Sequence, residues 1–440
     1  MAQENIKPRL KIAVIGSGSA GCKIASDQAS RGQNVHLFEA GVQISPELSW
    51  KWGARNHSGA HSPLSRATRE LCYQSSIEYH QLHSGLVIDG IPAIYALAKQ
   101  DGGHDQTITP AMLESICKSI PGSQCLSPAS FGLQNVSAAY MFPEQGLANG
   151  QYQSDYWKQE LERSGVRVFL ESGVTRICRH GDKFNLTTTR GNSDHYDIAI
   201  NATGYSSLSA NHELFNAAVV YQVCWGFLYT PKQHLSEPLS LTVLYGQFLS
   251  LLPIYDSGGS SPTKYVLTHV SDTKSDQMSN YDQAKKLLDE INHKSLISKA
   301  LLDKTRKSSE RDCKHFYPAF DERFEYQSWQ ASIHPKLRST SDFRNVLVFR
   351  PDDDIIYVFP GKVSQVVTAA QEVNALVRDL VSRRETEVTG GIAPDLENPT
   401  RFSPVMHREG LTFSRTSGFA TSWEEIFSFE DTAVRPGNDA

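Results

Sequence analysis

Between Ile12 and Ala40 the chain reads IAVIGSGSAGCKIASDQASRGQNVHLFEA, and few folds accept that order of residue types. Ile12, Ala13, Val14 and Ile15 form a continuous apolar run, as expected of a strand buried on both faces of a parallel sheet. Gly16 allows a tight turn, Gly18 lets the backbone approach a pyrophosphate with no Cβ in the way, and Gly21 permits close packing of helix on strand. Ser19 and Ala20 begin the helix, whose unpaired N-terminal amides and dipole favour an anion. Arg31 and Gly32 close that helix. Val35 to Phe38 then form a second strand, with Glu39 at its carboxyl end, placed to bind a ribose hydroxyl pair. Ala40 and Gly41 follow without an arginine to receive a 2′-phosphate, which disfavours NADP. A bare glycine-rich turn would not bring strand, helix, second strand and acid together in this register.

The rest of the chain bounds the ligand class. With 440 residues there is room for two intimately joined domains. Lys and Arg total 43 against 48 Asp and Glu, a net charge of −5, so nothing points to nucleic acid and a small-molecule substrate is the better expectation. The seven cysteines, Cys22, Cys72, Cys117, Cys125, Cys178, Cys224 and Cys313, are scattered and without a CxxC pair. They read as reduced thiols, with neither a disulfide framework nor a metal site expected. The opening MAQENIKPRLK is short and polar, unlike a signal peptide. No run of about 18 apolar residues is present to span a membrane, and the cytoplasm is the expected compartment.

Further along, the pattern predicts helices over Ser65–His83, Ala111–Ser119 and Gln153–Ser164, with Leu71, Ile77 and Leu82 on the buried side of the first. Short strands are expected at Val166–Leu170 and Val174–Cys178, then a hairpin arm and a buried strand, Ile198–Ala202. The middle is β-rich and alternating (VVYQVCWGFLY, SLTVLYGQFLSLLPIY, KYVLTHVS), which suits an antiparallel sheet, with one amphipathic helical insertion over Tyr281–Lys307. From Asn345 the first pattern returns as a strand, VLVFR, and a long helix over Val363–Val381. The expected fold class is therefore α/β plus antiparallel β: a discontinuous Rossmann-like cofactor-binding domain with an inserted antiparallel-sheet substrate domain. Its three pieces are 1–85, 151–210 and 341–384, separated by a mixed substrate-side segment, 86–150, and the antiparallel domain, 211–340; residues 385–440 read as a polar tail.

Two later motifs add to the first. In NATGY the small residues Ala202, Thr203 and Gly204 let backbone pass close to a flat or phosphorylated ligand, although any strand-end turn can carry such a sequence. In PGKVSQVVTAAQEV a Pro-Gly turn opens a helix, and the amides from Gly361 through Lys362 and Val363 to Ser364 present partial positive charge. Together the three motifs resemble the FAD-dependent oxidoreductases of the D-amino-acid-oxidase type, within the glutathione-reductase-like FAD fold. Gly16, Gly18, Gly21 and Glu39 match the family's N-terminal fingerprint, Asn201 to Gly204 its internal ATG motif, and Gly361, Lys362 and the helix after them its flavin motif.

The resemblance implies FAD as cofactor and oxidation of a C–N or C–O bond, with hydride passing to flavin N5 and oxygen or a carrier taking the electrons. It implies a backbone role for Val174 at the adenine. It also implies that Arg55, Asn56, His57 and Ser58, in RNHSGAHSP, run past the pyrophosphate towards the flavin ring. His57 and His61 in that loop are suited to proton transfer near neutral pH, or to contact with solvent or pyrophosphate. Some relatives link flavin covalently to a histidine here, which makes His61 a candidate. Arg350 and Tyr357 fall where relatives present groups to substrate; Arg350 suits a carboxylate, or neutralisation of Asp352, Asp353 and Asp354 beside it. Tyr245, Gln247 and Phe248 either line the pocket or belong to an ordinary apolar strand.

No second GxGxxG appears, so electrons are expected from the organic substrate. A flavin monooxygenase or halogenase is the first rival, weakened because the usual Gly-Asp pair before the last helix is replaced by RPDDDIIYVFPGK. The second rival keeps the fold without redox turnover, as a flavin-dependent mutase or a prenyl-protein-binding escort. The intact glycines and Glu39 argue against an escort that has lost the cofactor.

Overall fold

The computed structural model describes residues 9–45, 51–52, 55–99, 108–205, 208–233, 238–244, 248–256, 259, 261–293, 296–338, 343–351, 354–389 and 405–417. Strand Lys11–Ile15 lies inside an eight-stranded sheet, parallel to Asn34–Phe38 on one side and Ile198–Asn201 on the other. Arg167–Phe169 and Ile356–Phe359 extend the parallel part outwards. The strand is buried on both faces because its side chains alternate between two cores. Ile12 and Val14 pack with Cys22, Ile24, Val367 and Ala370 of the covering helices Ser19–Ser30 and Val366–Thr389. Ala13 and Ile15 pack with Val174, Phe184, Leu186 and Tyr196 of a three-stranded antiparallel sheet.

A second eight-stranded sheet forms the substrate side. Its long strands Val219–Pro231 and Phe324–Leu337 pair antiparallel along their lengths, and Lys264–His269, Leu249–Ile254 and Ser240–Leu244 follow in order. Ala93–Ala98, buried at all six positions, joins this sheet in parallel to Ser240–Leu244, so the segment expected as mixed supplies part of the same sheet.

Three expectations are corrected. The C-terminal stretch is more than a polar tail: Val405–Arg408 and Leu411–Ser414 form a hairpin on the edge of the first sheet, with Val405, Leu411 and Phe413 buried. Val405 packs in the core under the long helix, Leu411 and Phe413 in the core on the opposite face of the sheet with Tyr205, Phe215 and Phe349, and this burial outweighs the polar composition around them. The insertion is two helices, Tyr281–Asn292 and Leu296–Phe316, in place of one. Helix Arg66–Leu82 buries Thr68, Cys72, Ser75 and Tyr79, while Ile77 and Leu82 are 45% and 56% exposed. Small residues on the inner face let this helix lie close to the long C-terminal helix, where the Ser75 and Thr368 hydroxyls are 3.0 Å apart.

Candidate active site

The site begins at the turn after the first strand. Gly16 has φ +95°, and a Cβ there would lie 2.7 Å from the Ala202 carbonyl oxygen, so the first and second motifs touch through a position only glycine fills. A Cβ on Gly21 would lie 1.9 Å from the Gly16 carbonyl oxygen. Gly18 is the opposite: a Cβ there meets nothing within 4 Å, and Gly18 caps the helix without a side-chain acceptor for its amides. The phosphate side of the turn is open, as a bound pyrophosphate requires. Glu39, buried at the strand end, is preset by three donors. Ser17 N–H and Oγ–H donate to Oε2 at 2.9 and 2.7 Å, and Gly41 N–H donates to Oε1 at 2.7 Å.

Neighbouring backbone is threaded past this corner. Ser172 N–H donates to the Glu39 carbonyl at 2.7 Å and Glu171 N–H to that of Gly41 at 2.9 Å, which delivers Val174, buried, close to the acid end of the second strand. The Ala202 N–H donates to the Ile15 carbonyl at 2.8 Å. Thr203 is turned inward, its N–H and hydroxyl donating to Asn201 Oδ1 at 3.1 and 2.8 Å. Gly204 follows with φ +69° and open space at its Cβ position.

The flavin motif is held by one amide side chain. Gln365 Oε1 accepts from Val346 N–H at 2.8 Å and Lys362 N–H at 3.1 Å, and its Nε2 donates to Asn345 Oδ1 at 3.1 Å. Gly361 is thereby pressed on Val346, whose nitrogen would lie 2.1 Å from a Cβ. The turn Val363–Gln365 packs on the Arg55–Asn56 strand. Three buried polar atoms here, Ser364 Oγ, Asn345 Nδ2 and His61 Nδ1, have no hydrogen-bond partner among the described residues. Buried polar groups are otherwise paired in folded proteins, so these fit a site that receives a polar ligand.

The loop from Arg55 is braced from behind by Glu144, which is completely buried. Ser58 N–H and Oγ–H each donate to its Oε1 at 3.0 Å, and Tyr95 O–H donates to Oε2 at 2.8 Å. Arg55 Nη1 lies 3.6 Å and His57 Nδ1 3.7 Å from Oε2. Burial alone would raise this carboxyl, but the Arg55 charge and the His57 and Tyr95 contacts bring it down to about 2. Arg55 also donates to Ser240 Oγ and Thr242 Oγ1, both at 3.2 Å, and sits over the Tyr95 ring. Its expected contact with the pyrophosphate is therefore corrected: the guanidinium braces the loop to the antiparallel sheet. Asn56 likewise turns inward, its Nδ2 donating to the Ser76 carbonyl and Gln145 Oε1.

The two histidines are brought together, with ring centroids 5.1 Å apart. Burial, ahead of the Lys362 and Arg55 charges and against the pull of Glu144, lowers His57 to about 4. Burial, then Lys362, holds His61 well below its ordinary value. Both rings are neutral at physiological pH. Phe248 of the antiparallel sheet stacks on His61 at 5.9 Å, so it lines this space; Tyr245 and Gln247 lie outside the described residues. Arg350 is elsewhere. It points to the helix face of the first sheet, where Asp379 and Asp354 take its guanidinium at 2.7 and 3.1 Å, far along the helix from Lys362. Its expected hold on a substrate carboxylate is corrected in favour of the aspartate reading; Asp352 and Asp353 lie outside the described residues. Tyr357 is buried on the opposite face, stacked on Phe349 at 5.7 Å and close to Tyr205. Glu144 and Tyr95 carried no signal in the sequence: each is a single residue in an ordinary context, and only folding brings them to the loop.

A groove of about 530 Å³ runs along the other side of Ser58, between helix Arg66–Leu82 and Pro121, Pro143 and Gln145. It does not reach His57, His61 or Lys362.

Comparison with known proteins agrees with this geometry. Residues 11–288 match the sequence profile of the FAD dependent oxidoreductase (DAO) family. The FAD-dependent monooxygenase kojA of Aspergillus flavus is 33% identical over 426 residues, covering 96% of this chain and 94% of that protein. Among solved structures, NikD, described as an unusual amino acid oxidase essential for nikkomycin biosynthesis, superposes with a TM-score of 0.61 at 13% identity over 91% of this chain and 99% of its own. The FAD-bound L-alpha-glycerophosphate oxidase of Mycoplasma pneumoniae gives 0.59 at 15% identity over 85% and 94%. With an open phosphate turn, a preset ribose acid and a buried turn awaiting a polar ligand, the chain belongs to the FAD-dependent oxidoreductases of the D-amino-acid-oxidase type, and FAD is its cofactor.

Proposed function

We propose that the chain oxidises a C–N or C–O bond of a small organic substrate, with oxygen or a carrier as final electron acceptor. The observation that carries this reading is the gathering of His57, His61 and Lys362 beside the flavin motif, under Phe248 of the antiparallel sheet. FAD, when bound, supplies the hydride acceptor, its N5. The chain's own residues do the rest. The Gly18 turn and Glu39 hold the adenosine end, and the Gly361–Ser364 turn with Lys362 offsets negative charge that develops at the flavin end. The histidines, kept neutral by burial and the nearby cations, offer ring nitrogens as hydrogen-bond acceptors to a substrate donor.

A second reading, substrate hydroxylation after reduction by NAD(P)H, is favoured by the relative named FAD-dependent monooxygenase. Anaerobic mixing with panels of amines, amino acids and hydroxy acids separates the two. Bleaching of the flavin absorbance by a substrate alone supports oxidation; bleaching that needs NAD(P)H and is accelerated by substrate supports the second reading and removes the first.

A further inference from the structure

We propose that His334, held in one orientation by Trp52 and Ser332, donates its Nδ1–H to an oxygen atom of the substrate. The substrate therefore carries, besides the bond that is oxidised, an oxygen able to accept a hydrogen bond: a carbonyl, a carboxylate or a second hydroxyl. The inference rests on the reading above for what reacts, and adds how the substrate is held.

The long strands Val219–Pro231 and Phe324–Leu337 have two unlike faces. Val223, Trp225, Phe227 and Ala331 are buried on one, where Trp225 Nε1–H donates to Thr305 Oγ1 of helix Leu296–Phe316 at 3.3 Å. The other face pairs Gln222 with His334, Cys224 with Ser332 and Gly226 with Gln330. Trp52 lies on this second face. A Cβ on Gly226 would be 2.9 Å from Trp52 Cζ3, so the glycine makes room for the indole, and the indole meets the His334 ring edge to face with centroids 5.5 Å apart. The same Cβ would be 3.1 Å from Thr268 Cγ2, and Thr268 pairs with Ser250, so Phe248, two residues before Ser250, shares the face with His334. Three strand spacings, about 14 Å, separate Phe248 and the His61 above it from His334. Between them Thr268 and Cys224 are half-buried and Val270 is 36% exposed, so this strip of sheet is open to a small molecule.

Two hydrogen bonds set the ring. Trp52 Nε1–H donates to Ser332 Oγ at 2.8 Å, and Ser332 Oγ lies 3.0 Å from His334 Nε2. An indole can only donate, so the serine oxygen accepts from it and keeps its own proton to give. Ser332 is 2% exposed, and among the described residues His334 Nε2 is the only acceptor its hydroxyl has. A proton on Nε2 would strand the serine proton in a buried place, which folded proteins avoid. The histidine proton is therefore on Nδ1. Burial, ahead of the Lys336, Arg344 and Lys362 charges, lowers His334 to about 3, so the ring is neutral at physiological pH. Nδ1 carries a proton in the charged form as well. It makes no hydrogen bond among the described residues, and His334 is only half-buried, which leaves the Nδ1–H as a donor without a protein acceptor.

The test uses the holoenzyme with hydroxy acids, amino acids and hydroxy ketones, each beside an analogue that lacks the second oxygen. Two signals are read: anaerobic bleaching of the flavin and, where none occurs, the shift of the oxidised flavin absorbance on binding. The oxygen-bearing compounds are expected to act at about 10–100-fold lower concentration than their analogues, the range of one buried hydrogen bond made or lost. His334→Phe should erase that difference, and His334→Asn, whose amide N–H takes the place of Nδ1–H, should restore most of it. A ring that only packs against Trp52 gives the reverse order, kept by phenylalanine and lost with asparagine. ¹⁵N histidine spectra should show the Nδ1–H tautomer of His334 in the unaltered protein and lose that preference in Ser332→Ala. Should His334→Phe fail to fold, the Ser332→Ala spectrum and its partial loss of discrimination carry the test. No discrimination by the unaltered protein, equal discrimination by His334→Phe, or an Nε2–H tautomer overturns this proposal and leaves the proposed oxidation standing. Bleaching that requires NAD(P)H overturns the oxidation, and the binding shifts and the tautomer then still decide on His334.

Discussion

Two buried glutamates in different parts of the molecule differ in charge state, one ionised and one neutral. Glu144, between the flavin-motif loop and the antiparallel sheet, is held down to about 2 although no part of its side chain is exposed. Glu372, on helix Val366–Thr389 beneath the C-terminal hairpin, is 2% exposed and raised to about 8 by burial, against contacts with Ser417 and the Val348 backbone. Depth is the same and the partners differ. Glu144 has a guanidinium and three hydrogen-bond donors, whereas among the described residues no cation acts on Glu372. Desolvation disfavours a carboxylate in both places, and only where fixed donors replace water does the charge persist. The charged glutamate belongs to the seam where chemistry is expected, and the neutral one to a packing contact.

The strongest way to break this contrast is to make both positions apolar. Glu144→Leu leaves the Arg55 guanidinium buried without its anion and is expected to cost about 3–5 kcal/mol in urea unfolding at pH 7. Glu372→Leu removes a carboxyl that is neutral in the fold and should be neutral or stabilising. Equal losses at the two sites would show that the charge assignment is wrong.

A pH series sharpens the same point. The folded chain keeps the Glu372 proton up to about 8, while the unfolded chain releases it near 4.3, so stability from this group is complete at low pH and falls as pH rises between those values. The slope amounts to about 2–3 kcal/mol over two pH units. His57, lowered to about 4, works the other way: its contribution is complete above about 6.5 and is lost as pH falls towards 4. Glu372→Gln should abolish the decline between about pH 4.3 and 8 and leave the His57 contribution in place. An unchanged decline between about pH 6.5 and 8, above the His57 window, in denaturant titrations would remove Glu372 as its source.

The smallest expected effect concerns the cofactor. Lys362 starts the turn at the flavin end, so Lys362→Met should lower the flavin midpoint potential. A charge term of about 0.3–2 kcal/mol corresponds to roughly 6–40 mV for two electrons. Glu372→Gln, at the packing contact, should leave the potential unchanged. A Lys362→Met potential equal to the unaltered protein's would place the ammonium away from the flavin.

The nucleotide corner was legible because its demands are local. Gly16, Gly18 and Gly21 each meet a backbone requirement set within a few residues, and Glu39 follows at the end of the next strand. The C-terminal hairpin was not legible, because three apolar residues in a polar stretch give a weak pattern until a sheet edge accepts them. Helix Arg66–Leu82 misled for a related reason: its leucines and isoleucine suggested a buried side, but close approach to the flavin-motif helix favours Thr68, Cys72 and Ser75. Arg350 was legible as a cation beside aspartates; that Asp379 on a helix 29 residues later completes its pairing was not.

What the amino-acid order determined by itself is the backbone that cradles a dinucleotide: strand, glycine turn, helix, strand and acid, each a short-range consequence of steric and hydrogen-bonding need. What only the tertiary structure decided is which side chains are charged and which face the reacting centre. Glu144 meets Arg55 and Ser58 of one loop and Tyr95 of a sheet strand, and Lys362 acts on His57 and His61 across some 300 residues of chain. Such meetings depend on long-range packing, and the electrostatics of a buried site follow from its neighbours in space, which residue order along the chain does not specify.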